Sequence, residues 1–161
     1  MLIILIKNRI FEAVNELDIS DARKLFTEYA MSLKFDLCFQ GFEDEISTLP
    51  GKYSSPGGFI LLAEHEGKIA GCIALRKLEN NICEMKRLYV RPEFRGLGIG
   101  KMLCDELISR AKDIGYTKMR LDTIKEQMKD AIRLYVSYGF YEIESYYHNP
   151  QEGVVYMELN L

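Results

Sequence analysis

The sequence contains no tryptophan, only two histidines and four cysteines. His65 and His148 belong to no H-E-x-x-H or comparable pattern. The cysteines are widely separated and form no C-x-x-C pair, the spacing typical of metal and redox motifs. We therefore expect no metal centre, and we expect most of the thiols to be reduced, buried and inert.

Long apolar runs and an excess of basic residues are also missing. The apolar start Met1–Ile6 is followed by Lys7 and Arg9 and is far shorter than the roughly 20 residues that cross a bilayer. It predicts an edge strand or a mobile leader, no membrane contact and a cytoplasmic protein. The formal net charge of -3 and the isoelectric point near 5.5 argue against a nucleic-acid partner.

The remaining composition is that of an ordinary globular protein. The chain has 161 residues, of which 48% are hydrophobic and 28% are charged. This length is typical of one domain with one core, so we expect residues 1–161 to form a single domain.

Hydrophobic periodicity predicts a first half of two helices followed by three strands. Cap-type residues at Asp18–Asp21 precede an apolar stripe of helical spacing from Ala22 to Leu33, and a second helix is predicted over Phe42–Leu49. Turns at Glu66–Lys68 and Glu79–Asn81 separate strands of an antiparallel meander. The strands are predicted at Phe59–Ala63, Ile69–Leu75 and Ile82–Val90, and Gly71 suggests a close backbone approach.

The second half predicts a strand–helix–strand unit with short links. A helix over Ile99–Ile114, ended by Gly115, would join the third strand to a parallel strand at Tyr116–Thr123. The fold class is therefore α+β, a three-layer α/β/α arrangement around a mixed, mostly antiparallel sheet with a central βαβ parallel pair. The apolar end Val154–Leu161 suggests a homodimer paired through the last strand. The remaining predicted elements are a helix at Gln127–Tyr138 and strands at Phe140–Ser145 and Val154–Leu159.

A glycine turn at Arg95–Lys101 lies between the predicted third strand and the following helix. Glycines allow close approach of a phosphate, and the first turn of a helix offers free N–H groups and partial positive charge. Five basic and two acidic residues lie between Glu84 and Lys101, which also favours a small anionic ligand. The turn is not a Walker loop, since Met102 follows Lys101, and the meander before it does not fit the dinucleotide fingerprint. A turn of purely structural function remains an alternative.

The turn matches the [Q/R]-x-x-G-x-[G/A] signature and resembles the GCN5-related N-acetyltransferase (GNAT) superfamily. Glu84–Val90 and Ala131–Phe140 are similar to that superfamily in order and spacing. The resemblance implies a GNAT-like fold and an enzyme that transfers the acetyl group of acetyl-CoA to a primary amine of a small molecule or peptide. The amine would attack directly in a ternary complex.

The resemblance also implies where the cofactor binds. The pantetheine arm would pair like an additional strand with Leu88, Tyr89 and Val90. A bulge near Leu88 would separate two parallel strands and so make room for it. The pyrophosphate would bind the backbone of Arg95, Gly96, Leu97, Gly98, Ile99, Gly100 and Lys101. Many relatives have an asparagine where this chain has Met128, which puts one cofactor contact in doubt. Asp122–Thr123, at the end of the preceding predicted strand, could serve the site instead, or Thr123 could be a helix cap.

Two catalytic residues follow from the same resemblance. Tyr135 would donate a proton to the coenzyme sulfur, although it also lies on an apolar helical stripe typical of a core aromatic residue. Glu84 would be the base, on the same strand face as Lys86, Leu88 and Val90, or else an ion-pair partner of Lys86 or Arg120. The N–H of Tyr89 or Val90 would stabilise the oxyanion.

The amine acceptor is the least defined part of the prediction. Two other classes of function stay open: a non-catalytic acyl-CoA-binding module that senses the cofactor, and a nucleotide-binding protein that uses the glycine turn. The residues expected near the acceptor are mostly aromatic, namely Phe35, Phe39, Phe42, Tyr146, Tyr147, His148 and Asn149.

Overall fold

The computed structural model describes residues 7–161, and for Phe39 it describes the backbone. The predicted role of Met1–Ile6 therefore lies outside the described residues. The helices are α1 Glu16–Ser32, α2 Phe42–Thr48, α3 Ile99–Ile114 and α4 Lys129–Tyr138. The strands are β1 Asn8–Glu12, β2 Phe59–His65, β3 Lys68–Glu79, β4 Ile82–Val90, β5 Lys118–Ile124, β6 Tyr141–Ile143 and β7 Val154–Asn160.

The strands form one mixed sheet in the order β1-β2-β3-β4-β5-β7-β6. Neighbouring strands are antiparallel except β4 and β5, which are parallel and are joined through α3. The predicted βαβ pair and the mixed, mostly antiparallel sheet are therefore confirmed.

Two apolar cores cover the two faces of the sheet. Leu25 and Phe26 of α1 are completely buried and pack in one core with Leu62 of β2. Leu103 and Leu107 of α3 pack in the other, against strands β2 to β5. Helices therefore lie on both sides of the sheet, as the three-layer prediction requires.

At Gly71 the backbone of β3 lies close to that of β4. A Cβ at this position would lie 2.6 Å from the carbonyl oxygen of Tyr89. Only glycine fits there without moving β4, so the predicted close approach is confirmed.

The predicted start of α1 is wrong. The cap is Asn15, whose side chain accepts a hydrogen bond from the Asp18 N–H at 2.9 Å. Asp18 in turn accepts one from the Val14 N–H at 3.2 Å. Asp18 thus completes a reciprocal capping arrangement from inside the helix instead of preceding it.

The last strand is not an edge strand. β7 pairs with β5 along its whole length, from Val154 to Asn160, and with β6 over Tyr156–Glu158. The apolar run that suggested a homodimer is therefore used within the sheet, and the dimer stays a prediction without that support. Within residues 7–161, no helix is long and apolar enough to cross a membrane.

Candidate active site

The central feature of the site is a gap between β4 and β5. The two strands pair only from Ile82 to Glu84 on β4, opposite Lys118 to Arg120 on β5. Beyond this short ladder the described strands diverge, and the remaining half of β4 has β3 as its only strand neighbour. An extended ligand can therefore hydrogen-bond to this side of β4.

A bulge in β4 gives this strand its shape. Cys72 of β3 lies opposite Tyr89 but Ala74 lies opposite Lys86, so two β4 residues, Arg87 and Leu88, face one residue of β3. Arg87 adopts a left-handed backbone with φ of 62°. The bulge thus lies where the family resemblance implies it, and it strengthens the local twist that separates the strands.

The bulge also reverses which side chains share a face. Leu88 packs against the α3 core, whereas Tyr89 belongs to the α1 core. Glu84 therefore does not share a face with Leu88 and Val90, contrary to the sequence prediction, because one extra residue shifts the alternation by one.

Backbone direction distinguishes the two candidate oxyanion donors. The Arg91 N–H donates to the Ala70 carbonyl oxygen on β3 at 2.8 Å. N–H groups alternate in direction along a strand, so the Tyr89 N–H also points towards β3 and the Val90 N–H points into the gap. Of the two, Val90 is the donor that the geometry favours.

The glycine turn follows β4 after a short 3₁₀ turn, Pro92–Phe94. Gly96 and Gly98 have φ of 80° and 78°, and a Cβ built on either would meet no described atom within 4 Å. The first hydrogen bond of α3 runs from the Met102 N–H to the Gly98 oxygen at 3.0 Å. The N–H groups of the residues before Met102 therefore lie outside the hydrogen-bond pattern of the helix. This open, N–H-rich turn fits a phosphate group.

The side chains around the glycine turn have different partners within the protein. The Arg95 Nε donates to the Val90 carbonyl oxygen at 3.0 Å and thereby ties the turn to β4. Lys101 pairs with Asp105 at 2.9 Å, and Ile99 is only 2% exposed. The backbone of this segment, more than its side chains, is thus what faces a ligand.

A single cavity of about 780 Å³ connects the turn with the gap and the α1 side of the sheet. Its walls come from both layers of helices, so it passes between the splayed strands. The predicted site residues among its lining are Leu88, Tyr89, Val90, Arg95, Gly96, Gly98, Ile99, Gly100 and Tyr135, whereas Leu97, Lys101 and Glu84 lie outside it.

Tyr135 of α4 reaches the cavity from the α3 core. It is 6% exposed and its ring packs against Phe140 at 5.7 Å between centroids. Within the described part of the chain its hydroxyl has no hydrogen-bond partner. Burial raises the pKa of Tyr135 well above its ordinary value, so the group is a neutral donor at physiological pH.

Glu84 is enclosed in an ion-pair network away from the cavity. It has no exposed surface; the Arg76 Nε donates to one oxygen at 2.8 Å and the Tyr146 hydroxyl to the other at 2.6 Å. The Lys86 ammonium is 3.9 Å away. Of the two partners expected from the sequence, Lys86 is at ion-pair distance, whereas Arg120 pairs with Glu79 and Glu158 instead. Sequence reasoning missed Arg76, which lies opposite Glu84 on β3.

Asp122 is a second carboxylate, and it does line the cavity. The Tyr147 hydroxyl donates to its Oδ2 atom, as does the Asn149 amide at 2.9 Å. Its position at the end of β5 was a weak signal in the sequence, but its partners come from residues 147–149, which are distant along the chain. Of the predicted acceptor residues, Phe35 and Asn149 line the cavity, and the Phe39 side chain lies outside the described atoms.

Two cations of the bulge face the α1 side of the cavity. Arg87 binds both oxygens of Glu45, at 2.8 and 3.0 Å, and donates to the Gln40 oxygen at 2.9 Å. Lys86 donates to the same Gln40 oxygen at 3.1 Å. Burial lowers the pKa of Lys86 to about 8, against the opposing charge of Glu84.

Thr123 and Met128 form one further contact in the cavity wall. The Thr123 hydroxyl donates to the Met128 sulfur at 3.1 Å. Met128 itself is the cap residue of α4, without a side-chain cap bond. Thr123 is therefore not the helix cap considered from the sequence.

Comparisons with known proteins agree with this geometry. The acetyltransferase (GNAT) family matches residues 11–140. An N-acetyltransferase of Schizosaccharomyces pombe is 44% identical over 146 residues, which are 89% of each chain. A GNAT-family acetyltransferase of Staphylococcus aureus has a TM-score of 0.75 and 26% identity, over 95% of this chain and 98% of that one.

A second solved structure contains the cofactor. A Salmonella typhimurium acetyltransferase solved with its cofactor acetyl-CoA shares the fold, with a TM-score of 0.73 and 18% identity over 96% of this chain and 94% of that one. GNAT enzymes use acetyl-CoA to acetylate amine acceptors. The match over most of the chain decides the family: this protein belongs to the acetyltransferase (GNAT) family and is an acetyl-CoA-dependent N-acetyltransferase.

Proposed function

We propose that the protein transfers the acetyl group of acetyl-CoA to a primary amine of a small molecule or peptide, by direct attack within a ternary complex. The observation that carries this proposal is the single cavity of about 780 Å³, which joins the glycine turn to the polar groups of the α1 side. Both substrates can occupy such a cavity together. Among its described lining residues there is no cysteine or histidine to carry the acetyl group between them.

The backbone of two segments would hold the cofactor. The N–H groups of Gly96, Gly98 and Gly100 and their neighbours would bind the pyrophosphate, because the open turn accepts it without a Cβ in the way. The gap-facing side of Leu88–Val90 would bind the pantetheine arm as an added strand. When bound, acetyl-CoA supplies the thioester that the amine attacks.

Three groups of this chain would then serve the reaction. The Val90 N–H would donate to the carbonyl oxygen as negative charge develops there. Tyr135 would donate its proton to the departing sulfur, which its neutral, otherwise unpartnered hydroxyl suits. Asp122 would bind the amine and take up its proton, because it lines the cavity while Glu84 does not.

The test combines binding, turnover and one variant. Titration calorimetry should give micromolar binding of acetyl-CoA and none of ATP or NAD, and an amine panel should release free thiol. Tyr135→Phe should bind acetyl-CoA as the wild type does but lower kcat about 100-fold, since a general acid contributes roughly that factor. Unchanged kcat in this variant, or tight binding without release of thiol for any amine, would contradict the proposal.

A further inference from the structure

We propose that the acceptor end of the cavity contains an anion subsite at Lys86, and that the acceptor is an amine with a neighbouring carboxylate, as in a free amino acid. This inference rests on the proposed amine transfer and names its substrate class. Its starting point is a buried cation whose hydrogen bond goes to a neutral oxygen and whose nearest carboxylate, on Glu84, is shared with Arg76 and Tyr146.

Lys86 is 8% exposed and lines the cavity. Its hydrogen bond goes to the neutral Gln40 oxygen, and its nearest carboxylate oxygen, on Glu84, is 3.9 Å away. That carboxylate already accepts from Arg76 and Tyr146. The Lys86 ammonium therefore carries a positive charge that these groups neutralise only in part.

Arg87, the neighbouring cation, has a close carboxylate partner within the protein. Its guanidinium makes three hydrogen bonds to Glu45 and Gln40 in the protein. Gln40 thus offers one neutral oxygen to two cations and balances the charge of neither. A buried charge that is neutralised only in part is costly, and an acceptor carboxylate would lower that cost on binding.

Asp122 is the negative group that would bind the amine of the acceptor, and it is connected to Lys86. Gln40 also donates to the Tyr147 hydroxyl at 3.0 Å, and Tyr147 donates to Asp122. A chain of three hydrogen bonds thus links Lys86 to Asp122, and both of these residues line the cavity. Both internal donors use the Oδ2 atom of Asp122, so Oδ1 has no hydrogen-bond partner within residues 7–161.

This arrangement matches a zwitterion. The ammonium group of the acceptor would bind Asp122, where it loses its proton before attack, and the carboxylate would bind Lys86. Leu33 and Leu37 also line the cavity, which favours an apolar side chain on the acceptor. A free amino acid such as phenylalanine, leucine or methionine has all three features.

The experiment compares acceptors that differ only in the carboxylate. Phenylalanine, phenylalaninamide and phenethylamine form one series, with leucine and leucinamide as a second and spermidine as an unrelated amine; free thiol is measured. The wild type should show a kcat/KM at least 10-fold higher for the free acids. Lys86→Gln should lose this preference through KM, and Lys86→Arg should retain part of it.

Two controls separate the outcomes. Lys112→Gln removes an exposed lysine of α3 and should change nothing. Unchanged acetyl-CoA affinity by calorimetry shows that Lys86→Gln is folded. If the amides, phenethylamine or spermidine react as well as the free acids, or if Lys86→Gln keeps the preference, the subsite is refuted while amine transfer stands. If no amine in any series reacts, both the anion subsite and the proposed amine transfer are refuted.

Discussion

The acceptor amine must lose a proton, and Asp122 and Glu84 are the two carboxylates considered as the base. Asp122 lines the cavity, whereas Glu84 is completely buried and holds Arg76 and Tyr146. Asp122→Asn should lower kcat/KM about 100-fold with little change in melting temperature. Glu84→Gln should mainly lower the melting temperature, because it leaves Arg76 and Lys86 without their carboxylate.

Melting curves and initial rates of the two variants decide between the residues. A large loss of rate in Glu84→Gln at unchanged melting temperature, with Asp122→Asn fully active, would restore Glu84 as the base.

Glu84 and Asp122 also show how much of a site can be predicted from the sequence at the scale of single residues. The roles of Tyr135 and Glu84 were implied by the family resemblance, which rests on motif order and spacing and carries no information on what a side chain contacts. The contacts of Glu84 with Arg76, and of Asp122 with Tyr147, join residues from different strands and loops. Such contacts depend on sheet register, which a single sequence does not specify.

At the scale of elements, the glycine turn offers a test with a closely matched control. Gly98 and Gly67 have φ of 78° and 81°, and a Cβ on either would meet no described atom within 4 Å. Gly98→Ala and Gly67→Ala should therefore lose similar stability, about 1 to 2 kcal/mol, from backbone strain alone. Only Gly98→Ala should weaken acetyl-CoA binding, since Gly67 lies in the β2–β3 turn.

Chemical denaturation and calorimetry measure the two effects separately. Equal acetyl-CoA affinities of the two variants would contradict a cofactor site on the Gly98 turn.

Elements with strong local signals were predicted well. The bounds of β4 and α3 agree with the structure, and Gly115 ends α3 in a left-handed conformation with φ of 110°. The start of α1 was missed because Asn15 and Asp18 cap it together. The bulge was known only from the resemblance, because the residue with positive φ is Arg87, and an arginine gives no signal for that conformation.

At the scale of the whole molecule, a buried ion pair connects the α2 helix to the centre of the sheet. Burial alone would raise the pKa of Glu45, but hydrogen bonds and charge from Arg87 outweigh it and lower the pKa from 4.5 to about 2. A carboxyl group with a lowered folded-state pKa stabilises the protein above its unfolded pKa. This stabilisation, about 3 kcal/mol, should be lost as the pH falls from about 4.5 towards 2.

Denaturation at a series of pH values measures this loss. Glu45→Gln should be less stable than the wild type at pH 7 and should show a smaller fall in stability below pH 4.5. Glu152→Gln, at an exposed loop position, should behave as the wild type does. An identical acid profile of Glu45→Gln and wild type would rule out this ion pair as the source.

The central claim is that one cavity holds acetyl-CoA and the amine together, and the order of substrate binding and product release tests it most directly. Initial rates are measured over a grid of acetyl-CoA concentrations and concentrations of the best amine from the acceptor series. Direct attack in a ternary complex predicts intersecting lines in double-reciprocal plots. Parallel lines, together with an acetylated protein in the intact mass after exposure to acetyl-CoA alone, would indicate a covalent intermediate and contradict the account.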